Sequence, residues 1–245
     1  MDLTIEEVAG LLNVSESTVQ QWVLEGKIPA YRMNEDEDYY FSRPEIENWV
    51  ITHKLDKTHG ISPFLRSKEA DSVAISPSKA QLRHGNKQFS LLRAVYKGNV
   101  LHDVTGKTKE ELIRNVMQMS AKSLNVDEEM ITDLLLDRES LMPTTLNKGY
   151  AVPHTRETLM NCHHDTVIIV FPTSPIAYGA LDGLPVHTLF FLFACEDKRH
   201  LHLLAKIAHL SNQEQTSEFF RTKPSKEKVL AFLKEWESHV PQISR

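Results

Sequence analysis

The chain has 245 residues, a formal net charge of −5, 41% hydrophobic and 25% charged residues, ordinary for a soluble globular protein with room for one large domain or two smaller ones. No apolar run approaches the roughly 18 residues of a membrane span. Met1-Asp2-Leu3-Thr4 lacks the basic start and apolar core of a signal peptide, so a cytoplasmic location is expected. The two cysteines, Cys162 and Cys195, have no metal-binding spacing and make no disulfide framework. A reducing compartment fits, and Cys195, at the end of an apolar strand, is expected to serve packing.

Residues 1–53 read as one unit. Thr4-Ile5-Glu6-Glu7 is a capping box, and Ile5, Val8, Ala9 and Leu12 share a helical face. After the turn at Asn13-Val14, Ser15 caps a second helix with Val19, Trp22 and Val23 inward, and Gly26 ends it. Residues 28–32 and 38–41 suggest two strands of a wing. Ser42-Arg43-Pro44-Glu45 then opens a helix with Ile46, Trp49 and Val50 inward. This order is a winged helix-turn-helix, and with the Gly26-Lys27-Ile28-Pro29-Ala30 step it resembles the MerR/excisionase-type DNA-binding domain.

In that fold the second helix enters the major groove. Thr18, Gln20 and Gln21 are therefore the candidate base readers, and Lys27, Arg32 and Arg43 the candidate phosphate contacts. The segment sets those three bases against eleven acids, a net of −8. Phosphate neutralisation by Lys and Arg supplies most DNA affinity. DNA binding and a protein-docking or dimerisation role therefore both stay open.

Residues 54–88 lose periodicity and carry seven bases and three acids, a net of +4. With Ser62-Pro63, Ser76-Pro77-Ser78 and Gly85-Asn86 as breakers, they read as a basic, flexible linker.

Residues 89–245 alternate strands and helices. A strand at Asn99-Val100-Leu101 precedes a helix capped by Thr108 with Leu112, Val116 and Met119 inward. A second helix starts near Asp127 and buries Ile131, Leu134 and Leu135. Strands are predicted at 150–152, 166–171 and 186–194, and helices after Asp197 and over 213–220 and 225–237. Continuous apolar strands are buried on both faces, so helices must cover both sides of the sheet. The expected architecture is α/β, a three-layer α/β/α sandwich with a mixed sheet, preceded by the small winged helix.

The stretch from Lys148 to Arg156 presents His154 just past Pro153, where a strand ends. In order along the chain it is flanked by Leu136-Asp137-Arg138-Glu139-Ser140, Pro143-Thr144-Thr145, Ser174-Pro175-Ile176-Ala177-Tyr178, Leu181-Asp182-Gly183-Leu184-Pro185-Val186 and His200-Leu201-His202-Leu203-Leu204. Over roughly residues 89–238 this series resembles the nitrogen-type enzyme IIA of the bacterial phosphotransferase system, a relative of the fructose/mannitol-type IIA domains.

The resemblance implies that His154 accepts a phosphoryl group from the phosphocarrier HPr, that His200 stabilises it by hydrogen bonding, and that Arg138 neutralises its oxygens, with Thr144 and Thr145 as hydroxyl donors. A neutral imidazole is a competent nucleophile near neutral pH. The chain departs from the family in having Thr145, Leu146, Asn147 and Lys148 where a glycine-rich loop is usual, keeping only Gly149. No cofactor is expected. Neither is a metal, since the adjacent side chains of His163-His164-Asp165 point to opposite faces of an extended chain. The implied role is a regulatory phosphocarrier tethered to a DNA-binding or protein-docking module, with an unnamed regulatory target. A transcriptional regulator with an inactive or dimerising IIA domain and a protein-interaction adaptor are the alternatives. The basic linker is the expected responder to a phosphoryl group on His154, and homodimerisation is left open.

Overall fold

The computed structural model describes residues 2–12, 14–31, 39–53, 90–155 and 164–239. The linker at 54–88, the wing tip, Arg32, Arg156, Cys162 and His163 lie outside them.

The N-terminal unit comprises β1 (Asp2–Leu3), α1 (Ile5–Leu12), α2 (Glu16–Leu24), β2 (Phe41–Ser42) and α3 (Arg43–His53). The capping box at Thr4 forms in both directions: Thr4 N–H donates to Glu7 Oε2 at 2.8 Å and Glu7 N–H to Thr4 Oγ1 at 3.3 Å. Ser15 caps α2 through the amide of Thr18, and Gly26 takes the left-handed φ of 64° that a helix end needs. Tyr31 and Tyr40 make the one antiparallel bridge of the wing among the described residues. The antiparallel pairing of β1 with β2 was not expected from sequence. Val8, Leu12, Val19, Trp22, Ile46, Trp49 and Val50 form the core, with Trp22 against Trp49 at 5.4 Å between ring centroids.

The larger unit contains α4 (Leu91–Lys97), β3 (Val100–Val104), α5 (Lys109–Leu124), α6 (Glu128–Leu141), β4 (Thr145–Leu146), β5 (Tyr150–Ala151), β6 (Thr166–Pro172), β7 (Thr188–Phe193), α7 (Asp197–Ser211), α8 (Glu214–Arg221) and α9 (Lys226–His239). Its sheet runs β3-β6-β7-β5-β4. β3 is parallel to β6 and β5 to β7, whereas β6/β7 and β4/β5 are antiparallel, giving the mixed sheet.

The strand period of two divides the apolar runs between the two faces. Val167, Ile169, Phe171, Phe190 and Leu192 pack with α4, α7, α8 and α9. Ile168, Val170, Leu189, Phe191 and Phe193 pack with α5 and α6. The α/β/α sandwich is therefore present. Within α5 the buried face is Leu112, Ile113, Val116 and Met117. Met119 is 57% exposed, contrary to expectation, because the sheet-facing stripe is centred between the two i,i+4 rows rather than on the row that runs through Met119.

The glycine-poor loop is a hairpin. Thr145–Leu146 and Tyr150–Ala151 pair as strands, and the turn between them uses positive φ at Lys148 (66°) and Gly149 (81°). A side chain at 149 would meet His187 at 2.7 Å. Lys148 is held in its uncommon conformation by its N–H to Asp182 Oδ2 at 2.8 Å and its Nζ to the Asn212 carbonyl at 2.7 Å. Cys195, just past β7, donates its N–H to Asp165 Oδ1 at 3.0 Å.

Candidate functional site

His154 is delivered by the chain end beyond β5. Proline cannot donate to a ladder, yet the Pro153 carbonyl accepts from Leu192 N–H at 2.9 Å, and His154 bridges Leu192 in parallel. The histidine is thus pinned beside β7. Its Nδ1 donates to the Val152 carbonyl at 2.7 Å, which fixes the tautomer and leaves the lone pair on Nε2.

Three groups converge there. Arg138, in the last turn of α6 and 3% exposed, donates from Nε to His154 Nε2 at 3.2 Å and from Nη1 to the Met142 carbonyl at 3.1 Å. His200, on the first turn of α7, lies with its ring centroid 4.9 Å from that of His154. Its buried Nε2 has no hydrogen-bond partner.

The third group comes from the other domain. Glu47 of α3, 1% exposed, places Oε2 at 3.1 Å from both Arg138 Nη2 and His154 Nε2, and Oε1 at 3.6 Å from His200 Nε2. One turn earlier on α3, Arg43 reaches Asp197, the first residue of α7, at 2.7 Å. Leu201 and Ala205 of α7 join the apolar core of the winged helix.

The electrostatics follow from burial and neighbours. Burial pushes the Glu47 carboxyl up, but its neighbours, His154 first and then His200 and Arg138, outweigh it and hold the group well below the usual carboxylate range. Burial, then the neighbouring His154, pushes His200 down to about 3, so it is neutral near pH 7.

Sequence pointed to His154, His200 and Arg138, and the structure brings them together. Thr144 gives its N–H and hydroxyl to the Glu139 carboxylate at 3.0 and 2.6 Å. Thr145 belongs to β4. Sequence reasoning missed Glu47. The basic linker expected to respond at His154 lies outside the described residues. Arg43, expected to contact DNA phosphates, pairs with Asp197. On α2, Gln20 and Gln21 are exposed, with Gln21 bonded to Glu25. Thr18 shares hydrogen bonds with Ser15. Lys27 pairs with Glu25 at 2.6 Å.

Glu47, His154 and His200 also offer three potential metal-ligand atoms within 4.8 Å of one another. Arg138 already holds two of these side chains, so a dication would lie against a guanidinium. A centre with a guanidinium and an unpartnered imidazole suits an anion better. Among the described residues no helix is long and apolar enough to cross a membrane.

Residues 94–236 match the family described as phosphoenolpyruvate-dependent sugar phosphotransferase system, EIIA 2, and residues 3–53 match a helix-turn-helix domain family. The nitrogen regulatory protein of Pseudomonas aeruginosa is 31% identical over 133 residues, 53% of this chain and 85% of that one. That of Klebsiella oxytoca is 30% identical over 108 residues, 42% of this chain and 64% of that one. The crystal structure of nitrogen regulatory protein IIA-Ntr from Neisseria meningitidis superimposes with a TM-score of 0.53 at 25% identity, covering 58% of this chain and 97% of that one. The chain belongs to the EIIA type 2 family of the phosphotransferase system, with a nitrogen-regulatory type of IIA domain joined to an N-terminal helix-turn-helix domain.

Proposed function

We propose that the protein is a regulatory phosphocarrier that accepts a phosphoryl group from phosphorylated HPr on His154 Nε2. The N–P bond of the donor's phosphohistidine breaks as the P–Nε2 bond forms, and the proton stays on Nδ1, hydrogen-bonded to the Val152 carbonyl. Exchange between two histidines is nearly balanced in energy, so the protein supplies alignment and charge neutralisation. Arg138 would take the phosphoryl oxygens, and His200, with its proton on Nε2, would donate a further hydrogen bond. The observation that carries this reading is the fixed tautomer of His154, whose Nε2 lone pair faces Arg138 Nε beside the unpartnered His200.

The accompanying division is a winged helix at 1–53, a basic linker at 54–88 and the IIA domain at 89–245. The enzymatic role is that of a phosphotransferase component with a phosphohistidine intermediate, in service of regulation. The exposed Gln20 and Gln21 on α2 support duplex DNA as a partner of the winged helix, since glutamine can read adenine edges. The test is to mix the protein with phosphorylated HPr and map acid-labile phosphate. Label is expected on His154 and absent in His154→Ala; label persisting in that variant overturns the assignment.

A further inference from the structure

Glu47 is a poor residue for its own domain. The core of the winged helix uses Ile46, Trp49 and Val50 of α3, and Glu47 projects away from them. A carboxylate 1% exposed carries a large desolvation cost unless it is paired. Within its own domain it meets Arg43 Nε at 3.4 Å, and its other partners lie in the other domain: Arg138, His154 and His200. These groups are also the ones that would bind a phosphoryl group.

We infer that the acceptor pocket is a docking site for helix α3 of the chain's own winged helix, with the Glu47 carboxylate occupying the place of the phosphoryl oxygens, so that docking and phosphorylation of His154 exclude each other. This rests on the phosphocarrier reading for its phosphoryl half. The geometry leaves no room for both ligands. Glu47 Oε2 is 3.1 Å from the nucleophilic Nε2, and a phosphorus bonded to Nε2 would carry its oxygens onto that carboxylate. With α3 in place His154 is 1% exposed and His200 3%, so no phosphodonor histidine can line up with Nε2 until α3 leaves.

The contact is wider than one ion pair. Arg43 and Glu47, four residues apart and so on one face of α3, address Asp197 and the pocket. Leu201 and Ala205, four apart on α7, cover the winged-helix core. Charge and apolar surface therefore match in the same register. Once His154 is phosphorylated, its negative charge repels Glu47 and uses the Arg138 and His200 donors. The winged helix is then released. Linkage makes the effect reciprocal: any partner that holds the winged helix undocked raises the occupancy of the phosphorylated state by the same factor.

The test uses the full chain and two readouts. The first is the rate at which diethyl pyrocarbonate, which attacks neutral imidazole, modifies His154, followed by peptide mass mapping. The second is the rate of labelling by phosphorylated HPr. In Glu47→Lys both rates should rise, by roughly 5- to 150-fold, the usual range of coupling between sites. Arg43→Asp, which removes both the Asp197 pair and the contact with Glu47, should act in the same direction, and adding Asp197→Arg should restore protection in part. If His154 is modified and labelled equally fast in all forms, the docking inference is overturned while the phosphocarrier reading stands. If the variants expose His154 to the reagent but no form takes label, the docking half is supported and the phosphocarrier reading fails. Loss of protection in Arg43→Asp that the Asp197→Arg change does not restore argues against the docked geometry.

Discussion

Glu47 and Arg138 stand 91 positions apart in the chain and meet as an ion pair at 3.1 Å, with side chains 2% and 3% exposed. Neither residue is in its own domain's apolar core. Arg138 forks, giving Nε to His154 and Nη2 to Glu47, as the planar guanidinium allows and an ammonium does not. The pair couples the chemistry of one domain to the position of the other.

Arg138→Ala should therefore disturb domain docking before it disturbs the IIA fold. Removing one partner of a buried pair costs roughly 3–5 kcal/mol when the other must stay buried. Here Glu47 can escape into water if α3 undocks, so the loss appears as separation of the domains. Hydrogen exchange should speed up in α3 and the first turn of α7 while β6 and β7 stay protected. Arg138→Lys should not rescue docking. Unchanged exchange in α3 would rule this out.

Docking should also weaken on acidification. His200 is held near 3 in the folded state, by burial first and then by His154, against an ordinary value of 6.5. The unfolded form takes up a proton below about 6.5 that the folded form refuses, so stability falls as pH falls across that window. Glu47 is shifted down, so its contribution is present above the ordinary carboxylate value of 4.5 and is lost as pH falls below it. Arg43, Arg138, Asp197 and His154 complete the charged and titratable groups of this surface. Thermal unfolding of the full chain from about pH 7 to about pH 4 should show a steady loss. His200→Gln should flatten the upper part of the curve, near pH 6, and leave the lower part. A parallel curve for His200→Gln would refute the assignment.

The meeting of His154, Arg138 and His200 was legible because they lie in an ordered series of short motifs, each on a predictable element. The layer arrangement was legible because apolar runs such as 166–171 admit only burial on both faces. Glu47 was not legible. Helical periodicity correctly turns it away from Ile46, Trp49 and Val50, and such a position normally faces water. That it faces another domain depends on the fit of α3 to α7, which no local pattern encodes. The bond of Thr144 to Glu139 was hidden for a related reason. Glu139, on the buried face of α6, needs donors, and Thr144 supplies them. β5 was expected at 150–152, whereas its hairpin partner β4 escaped notice because it is two residues long.

DNA binding by the docked protein should be weak and only mildly dependent on salt. Arg43 is engaged by Asp197 and Lys27 by Glu25, so few cations remain on the described winged helix to release counterions. Fluorescence anisotropy with a random duplex, over a salt series, should give a shallow slope of log affinity against log salt. A slope corresponding to about six or more phosphate contacts would show that this charge argument fails. Gln20→Ala and Gln21→Ala should lower affinity only for a preferred sequence, since these side chains can read bases but carry no charge.

The apolar half of the docking surface gives the sharpest separation between holding the domains together and holding the IIA fold together. Leu201 and Leu204 are both leucines of α7, 5% and 0% exposed. Leu201 joins the core of the winged helix, whereas Leu204 joins the sheet-facing core with Val167, Phe190 and Leu192. Truncating a buried leucine to alanine costs roughly 2–5 kcal/mol, less where the gap can close. Leu204→Ala leaves a cavity enclosed by strands and helices and should lower the main unfolding transition of the IIA domain. Leu201→Ala leaves its gap at a seam between two domains that can part. It should therefore leave that transition nearly in place, speed exchange in α3, and increase modification of His154 by diethyl pyrocarbonate. Calorimetry and hydrogen exchange on the two variants, side by side, decide the matter. An equal drop in the IIA transition for both would mean that Leu201 belongs to the IIA core and that the seam is not a separable interface.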